Sequence, residues 1–334
     1  MTTPPRLWVA GARPRTFPAA IVPVAVGTAV GYASSGHLKI SSFATRNGHE
    51  VATGLLVRHL DVVNAVCALF VALFIQIGTN YVNDYADGVR GTDKARVGPV
   101  RLVATEQATV RQVKVAALLS FGIAAIAGLA LAYRVSWWLI PVGLVCGVAG
   151  WAYTGGPKPY GYLGLGEVFV FLFFGLVATA GSAYVQHAPF SLNVGSHTFT
   201  YHFDWAYPLW AGVPIGLMAA ALLEANNVRD IETDRVAGKK TLAVRLGRHG
   251  AGALYVALLM GTALSIGILQ RWNHWALLGL VALPFALYPV RTVLSDRNGR
   301  RLLPLLGATA RLQMAVGILL TASIVIGSVT GPHS

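Results

Sequence analysis

Nine separate apolar stretches, each of about bilayer length, most constrain what this chain can fold into. A helix needs roughly 20 mostly apolar residues to cross the hydrocarbon core of a membrane. The mean hydropathy of +0.59 and the charged fraction of 12% agree with a chain that lies mostly in lipid. We therefore predict an all-α, polytopic membrane protein, a single domain over residues 1–334, with about nine transmembrane helices bundled around a central cavity. The predicted spans are residues 17–34, 61–83, 111–133, 136–154, 163–186, 207–227, 251–270, 273–292 and 303–330.

The Lys and Arg residues are distributed unevenly over the loops between these spans. Of 26 in total, 20 lie on the same side as the N-terminus and five on the opposite side, with Arg311 near the start of the last span. Basic loops stay in the cytoplasm, so this bias predicts a cell-membrane protein with a cytoplasmic N-terminus and an external C-terminus. The net charge of +13 then reflects topology, anionic lipid and anionic substrate. Nucleic acid is excluded as a partner, because the sequence contains no motif that binds it.

The second span ends in a polar stretch from Asn80 to Asp93, NYVNDYADGVRGTD. Asn80, Asp84 and Asp87 are spaced by four and three residues, so they share one face of a continuing helix. Carboxylates at a membrane-facing helix end are costly without a partner, and their oxygens are ligands that Mg²⁺ prefers. We expect Asp84, Asp87 and Asp93 to bind metal. The alternative is a solvated helix end with ordinary acidic caps.

A similar polar face follows the sixth span, in the stretch EANNVRDIETD from Glu224 to Asp234. Asn226, Asp230 and Asp234 are spaced by four and four residues. Because the second and sixth spans run in the same direction, both acidic faces emerge on the same side of the membrane. Two acidic faces across a cavity can hold two divalent ions that clamp one diphosphate. This arrangement predicts Asp230 and Asp234 as further metal ligands.

Cations and polar side chains around the acidic faces are candidates for substrate binding. Cations this close to carboxylates suit a metal–diphosphate complex, although the positive-inside rule alone would also place them there. Tyr153 ends the fourth span on the acidic side, either as an interface anchor or as a ring that stabilises a carbocation. The GxxxG motif at Gly143 and Gly147 predicts close helix packing. The candidate substrate-binding residues are Asn80, Asn83, Asn226, Asn227, Lys94, Arg101, Arg15, Lys158 and Arg229.

The two acidic motifs resemble those of the UbiA superfamily of intramembrane prenyltransferases. The resemblance rests on NDYAD at residues 83–87, RDIETD at 229–234 and GKKTLAVRLG at 238–247, and it extends from Arg13 to the last span. Within the superfamily, GTD at 91–93, the following Gly-Pro and YTGGPKPYGYLGLGE resemble the branch that acts on 1,4-dihydroxy-2-naphthoate. The usual first motif is NDxxDxxxD. Here Asp93 stands six residues beyond Asp87 rather than four, which makes it the weakest ligand candidate.

The resemblance implies a Mg²⁺-dependent transfer of a polyprenyl group from polyprenyl diphosphate to 1,4-dihydroxy-2-naphthoate. CO₂ and diphosphate would leave, and demethylmenaquinol would form in menaquinone biosynthesis. Two alternatives remain open. One is a related enzyme with another aromatic acceptor such as 4-hydroxybenzoate, and the other is a secondary transporter with a polar midplane site. The expected catalytic residues are Asp84, Asp87, Asp230, Asp234 and Tyr153.

Overall fold

The computed structural model is a helical bundle, and it describes residues 4–46, 49–91, 101–187, 190–194, 197–201, 203–295 and 299–330. The main helices of this part of the chain are α1 (Pro5–Ala12), α2 (Pro18–Ser34), α3 (Val62–Arg90), α4 (Val110–Arg134), α5 (Leu139–Ala152), α6 (Gly166–Tyr184), α7 (Ala206–Val236), α8 (Leu242–Leu269), α9 (His274–Leu294) and α10 (Leu303–Thr330). Two antiparallel hairpins lie in the connections, β1 (Gly36–Arg46) with β2 (His49–Arg58) and β3 (Phe190–Val194) with β4 (His197–Tyr201).

The predicted succession of membrane-spanning helices is confirmed. Over the described ranges, seven helices are long and apolar enough to cross a membrane, and α1 with α2 forms an eighth candidate bent by 56°. The remaining predicted span is α5, a shorter apolar helix of 14 residues. The all-α prediction holds for this membrane-spanning part. The two hairpins were not predicted, and by connectivity both lie at the ends of helices opposite to the acidic motifs.

Local sequence signals set both ends of α3, which carries the first acidic motif. The Asp61 carboxylate accepts a hydrogen bond from the Asn64 backbone N–H at 2.9 Å and so caps the first turn. At the other end Gly91 has φ 68°, a left-handed conformation that glycine adopts without strain. The helix is therefore long enough to keep Asp84 and Asp87 in its last two turns.

Small residues allow α2 and α6 to pack backbone against backbone. A Cβ added at Gly27 would lie 2.2 Å from the Thr179 carbonyl oxygen, and one at Gly31 would lie 2.6 Å from that of Ala183. Close approach through small residues is the usual way in which helices associate without a hydrophobic driving force between them. Gly27 and Gly31 are thus a GxxxG pair that packs in this structure.

The prediction that Gly143 and Gly147 are a packing motif is wrong. A Cβ at either position would find no atom within 4 Å. Both lie on α5, which packs against α3 and α4 at the edge of the bundle. Val145 and Val148 on the same helix are largely exposed, as expected of a helix that faces lipid. In the described structure no other helix packs against Gly143 and Gly147, so these glycines do not mediate helix packing.

A cavity of about 250 Å³ lies between α2, α3, α5, α6 and α7. Along α3 its lining runs from Ala68 to Asn83, a length of about 22 Å at 1.5 Å per residue. Its far part is apolar, with Leu131, Val142 and Val185 among the lining side chains. The largest buried core lies beside it, where α2, α7, α8 and α10 pack together. The bundle therefore leaves one long apolar space that reaches the acidic end of α3.

Candidate active site

The cavity ends at a polar face formed by α3, α7 and the junction between α1 and α2. The Asn80 amide donates to the Ala12 carbonyl at 2.9 Å and to Thr16 Oγ1 at 3.1 Å, which ties this junction to α3. Asn83 Oδ1 is buried there without a hydrogen-bond partner in the described structure. An unpartnered buried acceptor is costly unless a ligand or water satisfies it. The polar side chains that line the cavity include Arg13, Thr16, Gln76, Thr79, Asn80, Asn83, Tyr153 and Asn226.

Aromatic rings form the wall beside this polar face. Tyr153 follows α5 and meets Tyr160 edge to face, with ring centroids 5.5 Å apart. Tyr160 in turn stacks on Phe169 at 4.0 Å, and all three rings line the cavity. The Tyr160 hydroxyl donates to the Ala149 carbonyl at 2.9 Å, and burial raises the pKa of this phenol, so it stays neutral. Of these rings only Tyr153 was predicted from the sequence.

Asp84 lies one residue beyond the cavity lining and is held by backbone groups. Its two carboxylate oxygens accept hydrogen bonds from the N–H groups of Leu102, at 2.7 Å, and Val103, at 3.1 Å. The side chain is 1% exposed. Asp84 thus fastens the segment that leads into α4 onto the end of α3, a role that the helix spacing could not predict.

Asp87 lies one turn further along α3, among three donors. Lys239 donates to its Oδ1 at 3.1 Å, and the Arg101 guanidinium lies 3.6 Å from its Oδ2. The Tyr162 hydroxyl also donates to Oδ1. Burial and the adjacent Asp87 charge raise the pKa of Tyr162, so this phenol remains a hydrogen-bond donor. The structure therefore surrounds Asp87 with positive charge, and the predicted contact of Arg101 with substrate stays a prediction.

The second acidic motif lies on α7. Arg229 binds Asp230 through two hydrogen bonds of 2.7 Å, and it also donates to Asn226 Oδ1 at 2.6 Å. This bidentate pairing places Arg229 beside the polar face as a partner of Asp230. Asp234 lies one turn further and has Lys239 at 3.8 Å.

Lys239 connects the two motifs. Its ammonium lies between Asp87 of α3 and Asp234 of α7, and the side chain is 7% exposed. Gly238, with φ 72°, turns the chain back so that the Lys239 N–H bonds to the Asp234 carbonyl at 2.9 Å. The structure thus brings together the two acidic faces that the sequence predicted on one side. From the sequence, Lys239 was one of the basic residues that set the topology and part of the motif GKKTLAVRLG, and it was not predicted as a site residue.

The remaining predicted residues, one metal ligand and three substrate-binding cations, fall in different places. Asp93 and Lys94 lie outside the described residues, so both remain predictions. Arg15 and Lys158 are exposed and do not line the cavity. Arg13, two residues before Arg15, does line it and reaches the Asn80 carbonyl at 3.5 Å, so the turn between α1 and α2 decides which cation faces the site.

A buried carboxyl pair behind the cavity wall was also missed. Asn227, predicted to bind substrate, instead donates to Glu167 Oε1 at 2.7 Å. Glu224 of α7 lies against Glu167 of α6 and is fully buried. Both carboxylate oxygens of Glu224 and Oε2 of Glu167 are buried without a hydrogen-bond partner in the described structure. This cluster joins α6 to α7 at the level of the polar face.

The donor set suits Mg²⁺ that is shared with a diphosphate. Mg²⁺ typically takes one or two protein carboxylates and fills its other positions with water and phosphate oxygens. In the described ranges no group of three or more His, Cys, Asp or Glu side chains lies close enough to hold a metal ion by itself. Asp87 and Asp234 nevertheless approach one common point, which Lys239 Nζ marks. These two residues fit an ion that takes the place of Lys239 Nζ, with Arg101 and Tyr162 also bound to Asp87. Protein donors hold Asp84 and Asp230 as well, and the binding of metal by these two residues stays a prediction.

Comparison with known proteins agrees with this geometry. The model of the UbiA prenyltransferase family matches residues 51–316. The chain is 42% identical to a 1,4-dihydroxy-2-naphthoate octaprenyltransferase of Mycobacterium tuberculosis (strain ATCC 25618 / H37Rv), over 97% of this chain and 98% of that protein. The protein of the same name from Escherichia coli (strain K12) is 31% identical, over 95% and 94% of the two chains.

A solved structure shows the same fold. It is that of a UbiA homolog from Archaeoglobus fulgidus bound to GPP and Mg²⁺, with a TM-score of 0.59 and 14% identity over 95% of this chain and 99% of that one. The family match covers both acidic motifs, the aromatic wall and the segment that carries Lys239. The helical bundle, its cavity and its paired acidic motifs are therefore those of a family member, and this chain belongs to the UbiA prenyltransferase family.

Proposed function

We propose that this enzyme transfers a polyprenyl group from polyprenyl diphosphate to 1,4-dihydroxy-2-naphthoate in menaquinone biosynthesis. One observation carries the proposal: a long apolar cavity ends at Asn83 and Asn226 of the two acidic motifs, and Lys239 joins the carboxylates of these motifs next to it. The names of the relatives from M. tuberculosis and E. coli, which align over nearly their whole length, support this acceptor. A secondary transporter is disfavoured, because both acidic motifs lie at helix ends on one side rather than at a midplane site.

The donor is oriented by the contrast between the two parts of the cavity. Its isoprenoid tail lies along the apolar side chains beside α3, and burial of this tail supplies much of the binding free energy. Its diphosphate lies at the polar end, near Arg13, Asn83 and Asn226. The reacting carbon then lies between the aromatic wall and the acidic motifs.

The protein's cations stabilise the leaving group. As the C–O bond breaks, its electron pair remains on the diphosphate, and the buried Arg101 and Lys239 offer positive charge at that end. Asp87 and Asp234 are the residues that would hold Mg²⁺, which when bound neutralises further charge on the diphosphate. Arg229 holds Asp230 and Asn226 in position on α7.

The aromatic wall protects the electron-poor carbon. The faces of Tyr153, Tyr160 and Phe169 present negative π density to an allylic cation, and their apolar surroundings exclude water that would otherwise capture it. The electron-rich naphthoate ring forms the new C–C bond, and its carboxyl group leaves as CO₂. We assign the recognition of an anionic substrate group to Arg13.

The site faces the cytoplasm in this proposal, because the basic loops lie at the same end of the bundle. A reporter fused after Ser334 is then external and one inserted at Gly238 is internal. Finding both reporters on one side of the membrane would contradict this orientation.

An assay with purified protein tests the function directly. Labelled polyprenyl diphosphate and Mg²⁺ are incubated with 1,4-dihydroxy-2-naphthoate, with 4-hydroxybenzoate or without acceptor. Of these three reactions, we expect only the one that contains 1,4-dihydroxy-2-naphthoate to give a prenylated product. A product with 4-hydroxybenzoate alone would identify the other acceptor class, and substrate uptake into vesicles without any product would indicate a transporter.

A further inference from the structure

Lys239 occupies the point at which the two acidic motifs meet. Its ammonium lies 3.1 Å from Asp87 Oδ1 and 3.8 Å from Asp234 Oδ1, and these carboxylates belong to different helices. The ammonium also lies over the Tyr162 ring, 4.7 Å from its centroid. A buried cation with this set of partners is held by charge, hydrogen bonding and a π face together.

The same two carboxylates are the ones that fit a divalent ion. A lysine ammonium and Mg²⁺ cannot both take the space between them, because each draws on the same oxygen lone pairs and like charges repel. The backbone N–H of Lys239 is fixed by its hydrogen bond to the Asp234 carbonyl, but the ammonium is carried on a flexible chain of four carbons. The ammonium is therefore free to move while its attachment point stays beside the motif.

We propose that Lys239 is an internal counter-ion that competes with the metal for Asp87 and Asp234. The lysine holds the motifs together until metal and diphosphate arrive, and then transfers its ammonium from the carboxylates to the diphosphate. No covalent bond changes in this exchange. The inference rests on the proposed function of the site, and it adds an order of events within that site.

The competition makes metal binding and diphosphate binding depend on each other. Metal alone must displace the buried ammonium from both carboxylates before diphosphate offers it a new anionic partner, which costs free energy. With diphosphate present, the displaced ammonium gains such a partner. Metal therefore raises the affinity for diphosphate, and diphosphate raises the affinity for metal. By linkage, both affinities increase by the same factor.

Metal binding to the full-length protein in detergent tests this coupling without turnover. Free Mn²⁺, a paramagnetic substitute for Mg²⁺, is measured by electron paramagnetic resonance with and without inorganic pyrophosphate. We expect Lys239→Met to bind Mn²⁺ alone on the order of tenfold more tightly than wild type, within the 5–150-fold range usual for coupled sites. Pyrophosphate should then enhance Mn²⁺ binding less in the variant than in wild type.

Two variants provide matched controls. Lys240→Met removes the same charge from an exposed neighbour and should change Mn²⁺ affinity far less. Lys239→Arg retains a cation and should keep the strong dependence on pyrophosphate. Equal Mn²⁺ affinity of Lys239→Met and wild type, or weaker binding by Lys239→Met, would overturn the proposal.

Stability gives a second readout if Lys239→Met is poorly folded. Removing the ammonium leaves Asp87 and Asp234 facing each other, so this variant should have a lowered melting temperature that Mg²⁺ alone restores. A variant that stays unfolded at every Mg²⁺ concentration contradicts the exchange of one cation for the other. If the wild-type protein does not prenylate the naphthoate, the proposed function is refuted. The metal-binding comparison involves no turnover, so its result is independent of that outcome.

Discussion

Removal of the Asp84 carboxylate should release the segment that connects α3 to α4. In Asp84→Ala the backbone N–H groups of Leu102 and Val103 lose acceptors at 2.7 and 3.1 Å. Hydrogen bonds to a charged group contribute about 1.5–3 kcal/mol each, so the two together stabilise this segment by about 3–6 kcal/mol. Since Arg101 adjoins these amides and approaches Asp87 at 3.6 Å, the loss should also displace this cation from the site.

Hydrogen–deuterium exchange measures this effect locally. A local stabilisation of about 3 kcal/mol corresponds to a factor of roughly 100 in opening, at about 1.4 kcal/mol for each factor of ten. Peptides that cover residues 101–109 should therefore exchange at least about 100-fold faster in Asp84→Ala. Asp234→Ala is the matched control, because it removes the same charge from a residue paired with Lys239. Wild-type exchange in this segment of Asp84→Ala would refute the reasoning.

Other consequences are as direct. Gly175→Ala places a Cβ 2.4 Å from backbone of α7 and should cost about 1–3 kcal/mol of stability, whereas Gly122→Ala, with no atom within 4 Å, should be tolerated in the same thermal unfolding assay. Arg13→Ala should raise a substrate KM because its charge acts in the ground state, and a similar rise in the exposed Arg15→Ala would contradict that assignment. Tyr153→Ala should lower kcat more than it changes the donor KM, and unchanged kinetics would make this ring an interface anchor.

The membrane-spanning architecture was predictable because the bilayer imposes a length and an apolar composition on each helix. The position of the acidic motifs was predictable for a related reason. Helix periodicity puts Asp84 and Asp87 on one face, and the parity of the spans puts Asp234 at the same end of the bundle. These two constraints bring the motifs together, whereas the contact of Lys239 with both of them also depends on the turn at Gly238.

Partners that are remote in sequence were not predictable. Nothing in the spacing of the first motif indicates that Asp84 binds the amides of Leu102 and Val103, because these bonds depend on the path of a loop. Which of Arg13 and Arg15 lines the cavity depends on the single turn between α1 and α2. The GxxxG motifs differ only in whether another helix lies opposite, which the tertiary fold decides.

The loss of CO₂ tests the central claim most directly, since prenylation with decarboxylation distinguishes the naphthoate reaction from the alternatives. Carboxyl-labelled 1,4-dihydroxy-2-naphthoate is incubated with purified protein, polyprenyl diphosphate and Mg²⁺, and labelled CO₂ is trapped. The account predicts that labelled CO₂ and demethylmenaquinol form in equal amounts, and that both disappear when the donor is omitted or the metal is chelated. A prenylated product that retains the label, or release of the label without donor, would contradict it.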